Sequence, residues 1–573
     1  MRQEIEQAVQ AAVNTIAGTN GAQVELTRPD EQFGDYATNA ALQLASTLHR
    51  KPREVAEELA VQVRETLGDK VAEVSVAGPG FLNIRLSDTA LIAGMNTEPI
   101  KVLEDKTYVM DYSDPNPLKP LHAGHLYTTV IGDAISRLLE RGGATVVRTN
   151  YGGDVGLHVA RSMWGIIKTL GGECPEKLAA IPEAERPAWL GARYVEGTTA
   201  SEDDTPPGAK AEVVALNKRV YLVHQDDDHE SPFAQIYWTV RQWSYDYFHE
   251  LYKQLQVKPF DRFIPESEVA PLGMQAVKEH TQNAPENKTG QDVFVYANAG
   301  DETSQTIIFH GEDYGLHTRV FINRDGLPTY EAKDVGLSLT KWRDYRFDES
   351  IIITANEQEQ YMAVVIAAIK LFEPMPAERT RHITHGMVKL QGGKKMSSRK
   401  GNIISAMDIL DSARAAGEAS GTNPSEETIL AAVKYAFAKN RIGGDIIYDP
   451  KESITLEGNS GPYLQYAHAR ARSILAKSKV ESQNIEELEP TERSLVRKIA
   501  EYPEVVGKAT AELLPHYICT YLYELAQAFN SFYERSRVVG DPREVARVQL
   551  VARYADVLKD GLGLLGIAAP DHM

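Results

Sequence analysis

The chain has 573 residues, 43% hydrophobic and 25% charged, with a net charge of −19. Such a length exceeds what one hydrophobic core serves, so several domains of ordinary globular composition are expected, and the acidic balance argues against a protein that coats nucleic acid indiscriminately while leaving room for selective RNA contact. No apolar run approaches membrane-spanning length, and two cysteines, Cys174 and Cys519, suffice neither for a disulfide framework nor for a cysteine zinc site.

The N-terminus lacks a signal peptide's apolar stretch, which makes the cytoplasm the natural compartment; Glu4 to Ile16 reads instead as an amphipathic helix. Phe33 to Asn39 is expected to open a second helix through Leu42 and Leu44, and Ala77 to Ile84 ends in an alternating strand. Residues 1–100 therefore read as a small α/β module. Next comes a strand-like run, Thr107 to Tyr112, then Asp114-Pro-Asn-Pro-Leu-Lys-Pro-Leu-His-Ala-Gly-His125, then an amphipathic run from Leu126 to Leu139. Pro115, Pro117 and Pro120 keep the approach out of helix until the turn is made. A helix starting there points unpaired N–H groups and its positive end at a ligand, His122 and His125 add donors, and Gly124 lets a ring lie against the backbone. Gly142-Gly143 ends the helix and Ala144 to Val147 follows as a strand, giving a βαβ unit and a parallel sheet. Two isolated histidines are more often ordinary surface groups; the βαβ context changes those odds.

Between 171 and 232 the pattern is weakest. Pro206-Pro-Gly208 and the acidic run Asp226 to Glu230 read as exposed connections between helices, the latter a solvated face rather than a metal site. Residues 286–309 are polar and then alternating, as a hairpin insertion would be. Gly392-Gly-Lys-Lys-Met-Ser-Ser-Arg-Lys-Gly-Asn402 is a cationic glycine-flanked loop suited to charge developing on a polyphosphate. From 456 onward the pattern is helical. Tyr517, Tyr521, Phe529, Phe532 and Tyr533 recur there beside Arg535 and Arg537. Most of these aromatics are expected in the core, with Tyr533 and Arg537 set to touch RNA.

His122-Ala-Gly-His125 and Lys395-Met-Ser-Ser-Arg399 resemble the paired "HIGH" and "KMSKS" signatures of class I aminoacyl-tRNA synthetases. Ser113-Asp-Pro-Asn-Pro-Leu-Lys-Pro-Leu-His122 resembles the arginyl-tRNA synthetase form. Arg148-Thr-Asn-Tyr-Gly-Gly-Asp-Val-Gly156, Asp325-Gly-Leu-Pro-Thr-Tyr-Glu-Ala-Lys-Asp334 and the C-terminal Leu564 to Met573 resemble that family too. The resemblance spans nearly the whole chain. It implies an α/β, multidomain protein: an N-terminal tRNA-contacting module (1–100), a Rossmann-type parallel-sheet catalytic domain with insertions (101–455) and an all-α anticodon-binding bundle (456–573).

The resemblance also implies a site. Tyr330 and Asp334 would face the arginine side chain, sharing one face of a helix, and a carboxylate suits a guanidinium's planar fork of donors. Asp111 would lie near the substrate, Asn116 would hold arginine's α-amino or carboxylate group, and Gln358 or Gln360 would reach it from a later strand–helix junction. His122, Gly124 and His125 would hold ATP with Lys395, Met396, Ser397, Ser398 and Lys400. Ser398 departs from the pattern, since a lysine is expected there; Lys119 is the residue that would compensate, with Arg399 and Lys400 also in reach. ATP would enter as its Mg2+ complex, without structural zinc. The partners would be tRNA(Arg) and L-arginine, with no membrane or DNA, and the protein a monomer. Arginine's carboxylate is already a nucleophile, so activation would rest on positioning and charge stabilisation, after which the tRNA 2′-OH would take the aminoacyl group. Three rivals remain. A cysteine-type synthetase lacks its zinc ligands here. A small-molecule nucleotidylyltransferase needs no helical C-terminus. A catalytically dead RNA-binding relative would not need both histidines.

Overall fold

Five parallel strands organise the middle of the chain: β1 (Thr107–Asp111), β2 (Thr145–Gly152), β3 (Arg262–Pro265), β4 (Glu349–Ala355) and β5 (Thr380–His385). They lie in the order β5-β4-β1-β2-β3, as determined from a computed structural model that describes residues 1–18, 23–288, 290–297, 306–391, 404–480, 485 and 487–573. The direction of strand addition reverses between β1 and β4, and open α/β sheets take their ligands at the C-terminal ends of strands beside such a reversal. Asp111 stands opposite Ile352 on one side and Thr149 on the other, so three strands end together there.

The connecting helices are α1 (Ala123–Arg141), α2 (Leu157–Leu170), α3 (Arg186–Asp203), α4 (Ala209–Gln225), α5 (Pro232–Gln254), α6 (Glu266–Glu279), α7 (Tyr330–Tyr345) and α8 (Glu359–Phe372). Two close approaches position the site. A Cβ on Gly132 of α1 would come 2.2 Å from the Tyr112 ring, so helix and strand end meet without a gap. Helices α6 and α7 cross in near backbone contact, because a Cβ on Gly273 would lie 1.8 Å from the Ala332 carbonyl oxygen and one on Gly336 2.1 Å from that of Val269. That crossing brings the start of α6 against the first turns of α7. As expected from the pattern, 204–208 and 226–231 are the links between helices, and Val295–Tyr296 pairs antiparallel with Ile307–Phe309; Arg319–Ile322 adds a third strand.

The N-terminal module packs helices Arg2–Ala17, Ala40–Leu48 and Pro52–Leu67 on a three-stranded antiparallel sheet. One expectation is corrected there. Tyr36–Thr38 is an edge strand paired with Phe81–Leu86, and the helix starts only at Ala40. Tyr36, Ala37 and Thr38 are all buried, and ladder pairing to Asn83 satisfies a backbone that a helix would have turned away. Beyond 456 the chain forms helices Gly461–Lys477, Pro490–Ile499, Tyr502–Glu512, His516–Arg535 and Glu544–Leu564. The module meets these through a shared apolar cluster and through charge. Asp35 takes Arg493 at 2.7 Å and Arg497 at 3.3 Å, while Glu504 accepts from Arg2 at 2.9 Å and from the Tyr36 hydroxyl at 2.6 Å. Among the described residues no helix is long and apolar enough to cross a membrane.

Candidate active site

A cavity of about 420 Å³ opens at the reversal point and is lined by His122, Gly124, His125 and His385. His122 is the cap of α1: its Nδ1 accepts the N–H of Gly124 at 3.1 Å and of His125 at 3.3 Å. His125 returns the contact, its Nδ1 accepting the His122 N–H at 3.3 Å, and the rings stack with centroids 3.7 Å apart. With both Nδ1 atoms accepting, each ring carries its proton on Nε2, the one donor left to it. Burial, with Lys119 adding repulsion, pulls His122 down to about 4; burial and then His122 hold His125 well below the ordinary value. At neutral pH the helix start therefore offers two uncharged N–H donors beside its backbone donors. Gly124 is required as much by the cap as by a ligand, because a Cβ there would come 2.9 Å from His122 Cε1. Lys119 lines neither this cavity nor its neighbour; its amine sits 5.0 Å above the Tyr194 ring of α3, and burial lowers it to about 8.

A second cavity, of about 530 Å³, shares the wall formed by Asp114, Thr354, Glu357 and Gln358. Asp111, Asn116, Tyr330, Asp334 and Gln358 all line it, whereas Gln360 lines neither cavity. Asp334 accepts the Tyr361 hydroxyl, and burial pushes its carboxyl up to about 7. The Tyr151 hydroxyl lies buried beside it. Tyr330 stands at the cavity rim, its hydroxyl 3.4 Å from His158 Nδ1 and its ring 4.7 Å from Lys333 Nζ. Asn116 accepts the Gly153 N–H at 2.8 Å through Oδ1, which leaves its amide N–H groups for a ligand.

Two acids differ in kind from Asp334. Asp111 is fully engaged: one oxygen takes Lys341 and the other the Thr149 hydroxyl, all buried. Glu266, which the sequence reading missed, lines the cavity and pairs with buried Lys333. Burial opposes the charge on Lys333, but the Glu266 carboxylate outweighs it and the amine titrates above its ordinary value. Asp114, Tyr151 and Tyr361 are further lining residues to which the sequence reading gave no role. Asp114 and Tyr151 lie inside motifs it quoted, so their positions were in view; Glu266 and Tyr361 carry no local signal.

Lys395, Met396, Ser397, Ser398, Arg399 and Lys400 lie outside the described residues. In the C-terminal helices Tyr521, Phe529 and Phe532 are core residues. Tyr533 is half-buried, with the Arg470 guanidinium 4.4 Å from its ring centre, and Arg537 is exposed.

A 3-2-1-4-5 parallel sheet with a histidine-capped helix at its reversal point defines the catalytic domain of a class I aminoacyl-tRNA synthetase, and residues 88–448 match the family description "tRNA synthetases class I (R), catalytic domain". Residues 2–86 match "Arginyl tRNA synthetase N terminal domain" and residues 464–573 "DALR anticodon binding domain". The chain belongs to the arginyl-tRNA synthetase family, whose reaction is the ATP-dependent aminoacylation of tRNA(Arg). It is 28% identical to the arginine–tRNA ligase of Cutibacterium acnes, with 98% of each chain covered, and 25% identical to that of Phocaeicola vulgatus over the full length of both. In fold it is similar to Thermus thermophilus arginyl-tRNA synthetase (TM-score 0.78, 24% identity, all of both chains). The Plasmodium falciparum enzyme is also similar (TM-score 0.76, 20% identity, 100% of this chain and 99% of that one).

Proposed function

We propose that the larger cavity holds arginine, its guanidinium against Asp334 and Tyr330, and that the histidine cavity holds ATP, brought in as its Mg2+ complex. The observation that carries this reading is the shared wall: Asp114 and Gln358 belong to both cavities, so a carboxylate leaving one meets a phosphate in the other. Asn116 presents amide donors to the amino acid's backbone end. Asp111, already neutralised by Lys341, holds the floor rather than the substrate.

The arginine carboxylate attacks the α-phosphorus in line; the bond to the bridging oxygen breaks, and arginyl-adenylate and pyrophosphate result. No proton need be removed from the nucleophile. The barrier is lowered by positioning and by donors aimed at developing charge. The Nε2–H groups of His122 and His125 supply those donors without carrying a charge. Lys395 and Lys400 neutralise the departing pyrophosphate, Lys119 adds its charge from beside His122 without lining the cavity, the Ser397 and Ser398 hydroxyls donate hydrogen bonds, and Met396 and Gly124 pack on the nucleoside. The terminal ribose hydroxyl of tRNA then displaces AMP. Tyr533 and Arg537 contact the tRNA, the domain limits are 1–100, 101–455 and 456–573, and the protein works as a cytoplasmic monomer.

The test is pyrophosphate exchange into ATP with each amino acid, with and without tRNA(Arg). Exchange with arginine alone among the amino acids, and only with tRNA present, is the expected result. Exchange with a different amino acid would move the pocket assignment, and none under any condition would indicate a binding protein on a synthetase fold.

A further inference from the structure

The larger cavity continues past the point where an arginine side chain held at Asp334 would end. Helix α7 lines it with Tyr330 at the rim, then Asp334, Leu337 and Lys341, which recur at helical spacing and so share one face. At about 1.5 Å per residue, that face runs roughly 10 Å beyond Asp334. Helix α8 forms the opposite side. Tyr361, in its first turn, reaches Asp334 through its hydroxyl, and Met362, Val365 and Ile369 then follow the cavity away from that contact. Ile352 of β4 and Ala377 close the inner part. Behind Asp334 the cavity thus has an inner chamber.

Charge and polarity decide what that chamber can take. Leu337, Met362, Val365, Ile369 and Ala377 are buried apolar side chains. The carboxylate of the chamber, Asp111, is spent on Lys341 and on the Thr149 hydroxyl. Thr380, at the edge, gives its hydroxyl to the Pro376 carbonyl at 2.7 Å. A cation finds no free counter-charge there among the described residues, and Lys341 would repel it. The guanidinium therefore stops at Asp334. A carboxylate takes two of its five N–H groups side by side. One Asp334 oxygen already accepts from Tyr361, so terminal N–H groups of the ligand are left facing an apolar wall. Replacing such an N–H by an N-alkyl group forfeits no hydrogen bond to that wall, and covers apolar surface that water would otherwise meet.

We infer that the inner chamber is a subsite for a small apolar group carried on the guanidinium, so that the protein binds Nω-alkylated arginines as well as arginine. This rests on the arginine-cavity assignment above. The test is displacement of labelled L-arginine from the full-length protein, with tRNA(Arg) present, by L-arginine, Nω-methyl-L-arginine and Nω-propyl-L-arginine. Both alkylated compounds are expected to bind within about tenfold of L-arginine, because burial of the alkyl group offsets its lost rotational freedom. Ile369→Phe and Val365→Phe each put a ring into the chamber, and thermal melting checks which of them folds as the parent does. The ring should weaken Nω-propyl-L-arginine at least about tenfold more than L-arginine, as filling a pocket does. A smaller difference, or rejection of the propyl compound by more than about tenfold in the parent, overturns the inference; the parent comparison decides it even where neither variant folds. Asp334→Asn separates the two readings and should weaken all three compounds. If it changes none, arginine lies elsewhere and the cavity assignment fails. If it weakens L-arginine while the parent rejects the propyl compound, the assignment stands and the chamber inference alone fails.

Discussion

The cavity around Asp334 and the cavity around His122 share a wall and handle charge in opposite ways. The first is built from formal charges, with Asp111, Glu266 and Glu331 paired to cations and Asp334 without one among the described residues. The second holds histidines that burial keeps neutral, so its donors are dipoles. On the proposed assignment of arginine to the first and ATP to the second, the difference follows from what each recognises. A guanidinium is charged before, during and after the reaction, and a standing counter-charge binds it in every state. Charge at the α-phosphate grows only on the way to the transition state, and fixed dipoles respond to it without first trapping the ground state.

The largest break in this contrast comes from the charged floor. Lys341→Met leaves Asp111 buried and uncompensated, and should cost about 3–5 kcal/mol of stability. Denaturant midpoints at pH 7 measure it, and the double variant Lys341→Met/Asp111→Leu should recover most of the loss. Next is Asp334→Asn, expected to weaken arginine binding by about 1.5–3 kcal/mol in calorimetry. The same variant should melt higher than the parent above pH 7. Asp334 titrates near 7 in the folded chain, above an unfolded aspartate at about 3.9. The folded state thus binds the extra proton between those values, and its stability falls as pH rises through that window; asparagine escapes the fall.

A third, smaller effect sharpens the contrast through pH alone. A guanidinium favours ionised Asp334, so arginine affinity should drop up to about tenfold from pH 7 to 6, with proton release on binding. Calorimetry in buffers of different ionisation enthalpy reads that proton, and an affinity flat between pH 6 and 8 would mean that Asp334 is already ionised in the empty cavity. The smallest effect concerns the nucleotide side. Ser398→Ala removes a neutral hydrogen bond and should cost about 0.5–1 kcal/mol in the activation barrier, less than Lys119→Ala. The reverse order would discredit compensation by Lys119.

The βαβ unit around His122 was legible because its signals are local: prolines, two histidines and a helical period lie within one stretch of chain. Tyr330 and Asp334 were legible as helix neighbours, four residues apart on α7. What distinguishes Asp334 from Asp111 was not. Asp111 is silenced by Lys341, 230 residues away, and Glu266 by Lys333, 67 residues away. Those partnerships are set by the crossing of α6 and α7 and by sheet order, and no spacing in the sequence expresses them. The Tyr36–Thr38 edge strand was misread as helix for a related reason, since its partner lies beyond two helices.

The seam of Asp35 with Arg493 and Arg497 has a consequence for how the molecule comes into being. Asp35 and Arg493 are 458 residues apart. At about 5–20 residues per second, the N-terminal module emerges roughly half a minute to a minute and a half before its docking partner exists. A greasy docking face would spend that interval exposed to other nascent chains. The arginine, aspartate and glutamate side chains on that face keep the part they cover hydrated while it waits, and give up that water only when the last helices arrive.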